Sequence, residues 1–205
     1  MLANLIAYTI AAALLTITPG ADTLLVVRHA AGRGKQAGFA AAAGVCLGTL
    51  MWGAVVAVGV AALVVASPFF FTLLKWSGAA YLVWLGMTLL LPMPDGREPP
   101  SKLTPLRPGN AFASGLLTNL LNPKVGVFYL AFLPQFIPPG VQQAPFILLL
   151  ASIHSLLGLI WFAILIAGVG RAAASLRHSP ASAILAKLTG ILFVGFGARL
   201  LFSSR

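Results

Sequence analysis

The chain alternates between long apolar stretches and short polar ones. Six apolar stretches occupy about residues 3–27, 39–65, 68–91, 111–133, 145–169 and 183–202. A helix of about 20 residues, rising 1.5 Å per residue, crosses the hydrocarbon core of a bilayer, which is about 30 Å thick. The strict apolar–polar alternation of spanning strands is absent, and a helix satisfies its own backbone hydrogen bonds in lipid. The pattern therefore predicts an all-α integral membrane protein with six transmembrane helices.

Composition agrees with this pattern. Hydrophobic residues make up 60% of the chain and charged residues 8%, whereas an average soluble domain is about a quarter charged. The longest polar stretch spans only about 92–110, so we expect one membrane domain over 1–205 and no separate soluble domain. The net charge of +10 comes from basic residues scattered at the ends of apolar stretches, a distribution that indicates membrane orientation and not nucleic-acid binding.

The basic residues predict which loops face the cytoplasm. They concentrate in the first, third and fifth loops, whereas the second and fourth loops are almost bare. Positively charged loops stay on the cytoplasmic side, so we expect loops one, three and five to be cytoplasmic and both termini to be outside. Met1 to Ile10 contains no lysine or arginine, which favours a retained first span over a cleaved signal peptide. The basic loop residues are Arg28, Arg33, Lys35, Arg97, Lys102, Arg107, Arg171 and Arg177.

An internal repeat relates the third apolar stretch to the sixth. Six positions in one stretch recur in the other, every pair offset by 112 residues. Three spans per copy is an odd number, so the second copy must enter the membrane from the opposite side. We therefore predict two inverted repeats, about 1–91 and 111–205, joined by a cytoplasmic loop at about 92–110, an architecture typical of secondary transporters. The pairs are Ser67/Ser179, Pro68/Pro180, Lys75/Lys187, Gly78/Gly190, Tyr81/Phe193 and Trp84/Phe196.

The first predicted span is interrupted by the motif Thr18-Pro19-Gly20-Ala21-Asp22. Proline removes a backbone donor and glycine tolerates an unwound conformation, so the helix should break there. Asp22 is the only acidic residue inside a predicted span. It has two possible roles: the N-cap of a half-helix starting at Thr23, or a carboxylate that receives a substrate ammonium or a coupling proton. The high cost of an acid inside a membrane favours the second role, and the two are compatible.

The fourth predicted span is interrupted at Asn119 to Lys124. A residue before proline avoids helical geometry and proline suits the first position of a helix, so Asn122 should cap a half-helix that starts at Pro123. The positive end of that half-helix and Lys124 favour an anion such as a substrate carboxylate. The alternative for Lys124 is that its side chain extends to the membrane interface. Together with Asp22, and with Asn119 and Asn122 as polar substrate contacts, these groups would hold a zwitterion such as a free amino acid.

Other polar residues are secondary candidates. His154 lies inside the fifth span and would serve either a proton pathway or a hydrogen bond to the helix backbone. Tyr81 and Gln135 are further candidates for the polar site. We expect His29 to be solvated beside its basic loop, and Cys46, the only cysteine, to be a packing residue.

Two other classes of membrane protein compete with an amino-acid transporter. A membrane redox carrier would need paired cysteines, which one cysteine cannot supply. A metal-ion effluxer would need several intramembrane Asp, Glu, His or Cys ligands, and the spans contain one Asp and one central His. The sequence therefore predicts neither a cofactor nor a metal nor catalysis, and it leaves dimerisation open.

Several motifs in order resemble one known family. Thr18 to Asp22 resembles its Pro-Gly-Pro-Asn/Asp signature, with Ala21 in place of the second proline, and Gly115 to Lys124 resembles its Asn-Pro-Lys signature. The small-residue run 34–48, Leu133 to Phe136 and Gly195 to Gly197 also fit. The chain thus resembles the LysE/RhtB amino-acid exporters, especially the threonine and homoserine branch. The resemblance implies export of amino acids or derivatives across a bacterial inner membrane, driven by proton influx.

Overall fold

A computed structural model describes residues 1–66, 68–91, 110–168 and 180–202. Within these ranges the regular secondary structure is helical, without strands. A π-helical turn, Phe128–Phe132, and a 3-10 turn, Leu133–Phe136, extend the sixth helix. The α-helices are α1 (Leu2–Ile17), α2 (Ala21–Arg33), α3 (Lys35–Ala66), α4 (Pro68–Leu90), α5 (Ala111–Leu120), α6 (Pro123–Val127), α7 (Gln143–Ala167) and α8 (Pro180–Phe202).

Between two and four membrane spans are present in the described residues. Lys35–Gly59 of α3 and the whole of α7 are each long and apolar enough to cross a bilayer. The pairs α1–α2 and α5–α6, the latter continuing to Phe136, also qualify if each bent pair is one span. Shorter apolar segments lie in α4 and α8. The helical membrane architecture is therefore confirmed, whereas the full set of six spans and their inverted symmetry stay predictions.

Both proline motifs interrupt a helix. The chain bends by 51° between α1 and α2 and by 50° between α5 and α6. Thr18 after α1 is in extended backbone conformation (ψ 118°), and α2 starts at Ala21 behind its N-cap Gly20. Asn122, in extended conformation, caps α6 by accepting a hydrogen bond from the Lys124 backbone N–H at 3.1 Å. Each break therefore exposes helix ends inside the bundle.

Small residues allow α3 to approach its neighbours closely. This helix packs against α2, α5 and α7. A Cβ atom on Gly44 would collide with the carbonyl oxygen of Phe112, and one on Gly115 would collide with the carbonyl oxygen of Ala41. The α3 and α5 backbones are thus in direct contact, which is the usual purpose of small residues in membrane helix pairs.

The two helices paired by the sequence repeat lie side by side. α4 and α8 both begin at a proline, both contain 23 residues, and they pack against each other. A Cβ on Gly86 would be 2.7 Å from the Gly190 carbonyl oxygen, and one on Gly190 would be 2.8 Å from that of Gly86. Ser67 and Ser179, which open the two repeat motifs, lie outside the described residues, as do the basic residues predicted for loops three and five.

An aromatic cluster fixes α1 against the segment that follows α6. The rings of Tyr8 and Phe136 meet edge to face at 5.4 Å, and those of Phe132 and Phe196 at 4.4 Å. The Asn4 amide donates a hydrogen bond to the Phe136 carbonyl oxygen at 3.0 Å. This packing holds the end of the second broken helix beside the first broken helix.

Candidate functional site

A cavity lies where the two helix breaks meet, bounded on its other sides by α3 and α7. Its free volume is about 40 Å³, and a single water needs roughly 10–15 Å³, so it has room for a few water molecules. Its lining includes the following polar or small residues: Thr18, Gly20, Asp22, Cys46, Thr49, Asn119, Asn122, Lys124, His154, Ser155 and Gly158. The structure thus brings the candidate residues of both proline motifs to one place.

Asp22 occupies the first turn of α2. The N-cap of that helix is Gly20, so Asp22 is not the capping residue. The helix begins at Ala21, two residues before the expected Thr23, because the extended Gly20 already ends the unwound segment. Asp22 Oδ2 accepts a hydrogen bond from Asn119 Nδ2 at 2.9 Å, whereas the buried Oδ1 has no hydrogen-bond partner among the described residues. One carboxylate oxygen therefore remains unsatisfied at the cavity.

Asn119 presents a second unsatisfied oxygen. The residue lies near the end of α5 with 1% of its surface exposed, and within the part of the chain that the structure describes its Oδ1 has no hydrogen-bond partner. Gly48 of α3 faces this amide, since a Cβ on Gly48 would be only 2.6 Å from Asn119 Oδ1. The Trp52 indole N–H donates to the Asn119 carbonyl oxygen at 3.4 Å. Asn119 is therefore held from α3 while its side chain reaches Asp22.

Lys124 extends from the second break to the first. Its ammonium donates hydrogen bonds to the carbonyl oxygens of Leu15 at 2.9 Å and Thr18 at 3.1 Å. These carbonyls end α1, where the helix has no further backbone donors and its dipole is negative. The ammonium therefore lies inside the bundle, where its charge stabilises the broken end of α1. An ammonium has three N–H donors, and these two bonds use two of them.

A buried pair of hydroxyls joins the first break to α8. Thr18 Oγ1 donates to the Leu14 carbonyl oxygen at 2.6 Å and lies 2.6 Å from Thr189 Oγ1. Thr189 is completely buried. Sequence analysis did not identify it, although the offset of 112 pairs it with Ser77, another hydroxyl residue. The repeat thus carried a signal for this contact.

His154 lines the cavity and pairs with a tyrosine that the sequence analysis missed. His154 Nδ1 is 3.2 Å from the Tyr129 hydroxyl, and the two rings stack at 5.7 Å with an interplanar angle of 18°. Tyr129 belongs to the π-helical turn, a feature often found at functional sites. The hydrogen-bond partner of His154 is thus the Tyr129 side chain rather than the helix backbone.

The other two secondary candidates lie elsewhere. Tyr81 of α4 packs its ring against Trp84 at 5.3 Å, and the Gln135 amide donates to the Ala131 carbonyl oxygen at 2.9 Å. Neither residue lines the cavity. The expectation for His29 is wrong, because this residue is only 2% exposed and neither ring nitrogen has a hydrogen-bond partner in the ranges that the structure describes. The packing of α2 on α3 buries the His29 side chain.

Cys46 has a more specific position than the sequence suggested. Its thiol lines the cavity and donates to the Ser155 carbonyl oxygen at 3.5 Å, and the Ser155 hydroxyl donates back to the Cys46 carbonyl oxygen at 3.3 Å. This reciprocal pair connects α3 with α7. The side of the cavity where α3 meets α7 is therefore built from small side chains.

Comparison with known proteins agrees with the membrane architecture. The family model of the LysE type translocator matches residues 13–204. An uncharacterized membrane protein of Bacillus subtilis (strain 168) is 32% identical over 204 residues, covering 96% of this chain and 97% of that protein. The "Leucine efflux protein" of Enterobacter sp. (strain 638) is 31% identical over 207 residues, covering 96% and 94%. The protein of the same name from Salmonella typhimurium (strain LT2) is 33% identical over 202 residues, covering 94% and 92%.

No solved structure matches the chain. The family model nevertheless covers almost all of it, including both proline motifs. The relatives align along nearly their whole lengths, so the match is not confined to one apolar stretch. This multi-pass membrane protein therefore belongs to the family of LysE type translocators.

Proposed function

We propose that this protein is a secondary active transporter that exports free amino acids and binds them as zwitterions in the cavity between the two helix breaks. The observation that carries the proposal is the pair of unsatisfied acceptors, Asp22 Oδ1 and Asn119 Oδ1. A buried acceptor without a partner is costly. A substrate ammonium, with three N–H donors and a positive charge, is a suitable partner for both oxygens.

The opposite pole of the zwitterion is assigned to Lys124. Two of its three donors are occupied by the carbonyls at the end of α1, which leaves one N–H for a substrate carboxylate. Asn122 Oδ1 is already used by the backbone of Lys124, so its amide NH₂ is the group that remains for substrate. Asp22 and Lys124 thus supply one charge of each sign within one cavity, as an amino acid requires.

The proposed transport cycle uses six spans in two inverted halves, with the breaks at the bilayer centre and loops one, three and five in the cytoplasm. The equal length and mutual packing of α4 and α8 support the repeat. Coupling to proton influx across a bacterial inner membrane is part of the proposal, with Asp22 and His154 as the groups that would carry the proton. The substrates proposed are leucine, named for two relatives, and threonine or homoserine, as the sequence motifs predict.

The experiment that tests the proposal compares an amino acid with analogues that lack one of its charges. Purified protein in liposomes is loaded with unlabelled leucine, threonine or homoserine, and entry of the labelled amino acid by exchange is measured. For leucine, the competitors are 4-methylpentanoate, which lacks the ammonium, and 3-methylbutylamine, which lacks the carboxylate. We expect each analogue to compete at least about tenfold more weakly, because about 1.4 kcal/mol of lost interaction is tenfold in affinity.

Protein-free liposomes are the control for passive entry of the labelled amino acid. Equal competition by leucine and both analogues would contradict a zwitterion site. If none of the three amino acids is exchanged, the proposed function itself is contradicted.

Gly48 tests the position of Asn119 without changing a charged group. In Gly48→Ala, the new Cβ would be 2.6 Å from Asn119 Oδ1 and 2.9 Å from Asn119 Cβ, so Asn119 must leave the position in which its amide donates to Asp22. We expect amino-acid exchange to fall about tenfold, in line with the loss of one hydrogen bond to a charged group. The measurement is the initial rate of exchange in liposomes.

Gly59→Ala is the matched control, since Gly59 lies on the same helix and a Cβ there meets no described atom within 4 Å. This variant should exchange amino acids like the wild type. A wild-type rate in Gly48→Ala would show that the Asp22–Asn119 contact is not needed for transport.

A further inference from the structure

The cavity has an uncharged end between α3 and α7. Val45 and Cys46 contribute to it from α3, and Gly158 and Phe162 from α7. A Cβ on Gly158 would lie 3.7 Å from the Phe162 ring and 3.8 Å from the Cys46 sulfur, so these three residues enclose one small space. Val45 and Phe162 are each 4% exposed, so the side chains that line this end of the cavity are buried and uncharged.

The hydroxyl groups near this space donate their hydrogen bonds to backbone carbonyl oxygens of α3. The Ser155 hydroxyl donates to the Cys46 carbonyl oxygen at 3.3 Å, and the Thr49 hydroxyl donates to the Val45 carbonyl oxygen at 3.1 Å. The walls therefore offer a ligand mostly apolar contact, with little capacity to donate hydrogen bonds.

Charge provides the second constraint. Asp22, Lys124 and His154 are the titratable groups that line the cavity in addition to the Cys46 thiol. In the proposed function, Asp22 and Lys124 hold the ammonium and carboxylate of the amino acid, and His154 is paired with Tyr129. A third charge on the substrate would have no counter-ion, and an isolated buried charge is strongly unfavourable.

We propose that the space between α3 and α7 is a pocket for the substrate side chain and that it selects uncharged aliphatic side chains, with Gly158 setting their permitted size. This inference rests on the proposed function and specifies its substrate class. Glycine leaves the pocket at its widest here. Alanine fits without a clash, because its methyl group would be at ordinary van der Waals distance from Phe162 and Cys46.

The experiment measures exchange in liposomes with leucine and alanine as competitors, for the wild type and for Gly158→Ala. We expect the variant to bind leucine about tenfold more weakly relative to alanine, because one methylene in an apolar pocket changes discrimination by about this factor or more. Lysine and glutamate should not compete in either protein. The matched control is Gly195→Ala in α8, where a Cβ meets no described atom within 4 Å. The ratio of leucine to alanine affinity in this variant should equal that of the wild type.

A binding measurement that needs no transport uses Cys46, the only cysteine of the chain. Alkylation of its thiol by N-ethylmaleimide is followed by mass spectrometry in detergent. Leucine should slow the reaction, whereas lysine and glutamate at the same concentration should not. Protection of Cys46 can also be measured in Gly158→Ala, and it reports binding even if this variant does not exchange amino acids.

Two results would overturn the side-chain pocket while leaving amino-acid transport intact. One is competition by lysine or glutamate as strong as that by leucine, and the other is an unchanged ratio of leucine to alanine affinity in Gly158→Ala. If no amino acid is exchanged and none slows alkylation of Cys46, the proposed function fails, and the pocket assignment fails with it.

Discussion

Asp22→Asn is expected to reduce amino-acid exchange by about 100-fold. This is in keeping with the loss of one partner of a buried charge pair, here the pair that Asp22 is proposed to form with the substrate ammonium. Asparagine is nearly the same size and retains an oxygen that accepts the hydrogen bond from Asn119 Nδ2. The substitution removes the negative charge and leaves the local contacts in place. Exchange should therefore be lost without a change in folding.

The measurement is the initial rate of exchange, together with the thermal unfolding midpoint in detergent. Asp95→Asn is the matched control, because Asp95 lies in the polar stretch 92–110 of the sequence, away from the predicted spans. It should behave like the wild type in both assays. If Asp22 has only a structural role, the result will be the reverse: a lower unfolding midpoint and an exchange rate within about threefold of wild type, a change worth well under 1 kcal/mol.

Lys124→Met is expected to reduce both exchange and stability. Methionine has a similar length but no N–H donor, so the Leu15 and Thr18 carbonyls lose the hydrogen bonds that they receive at 2.9 and 3.1 Å. Leaving a buried acceptor unpaired costs about 1–3 kcal/mol, which should lower the unfolding midpoint by several degrees. Loss of the positive charge should reduce exchange by about 100-fold, because the substrate carboxylate would lose its proposed counter-ion.

The matched control is Lys187→Met, because Lys187 is an exposed lysine on α8. This variant should retain both exchange and stability. Lys124→Arg restores a positive charge and donors for the α1 carbonyls, so it should recover stability more fully than transport. If Lys124→Met loses stability but its folded fraction exchanges amino acids normally, Lys124 only holds the end of α1 and does not bind substrate.

The positions of the helices follow closely from the sequence. The predicted stretches 39–65 and 145–169 correspond to Lys35–Ala66 and Gln143–Ala167, and both proline motifs coincide with bends of about 50°. These features depend on local chemistry: the length of an apolar stretch, the donor that proline lacks, and the cap that Asn122 provides. Such effects act within a few residues, so neighbouring residues in the sequence are enough to predict them.

The contacts of the candidate site were only partly predictable. Asp22 and Asn119 were selected because polar residues inside apolar stretches are costly, yet the hydrogen bond between them joins residues 97 positions apart. Thr189, Tyr129 and Gly158 have no comparable signal within their own helices. Their importance depends on which helix faces which.

By itself, the sequence determined the membrane environment, the approximate ends of the helices and the two breaks that bring polar residues into the bundle. Only the tertiary structure decided that the Lys124 ammonium binds the end of α1, that His29 is buried and that Val45, Cys46, Gly158 and Phe162 meet between α3 and α7. The physical reason is that helices such as α3 and α7 are apolar on all sides. In lipid, the hydrophobic pattern of such a helix does not distinguish the face that lines a cavity from the face that meets the membrane.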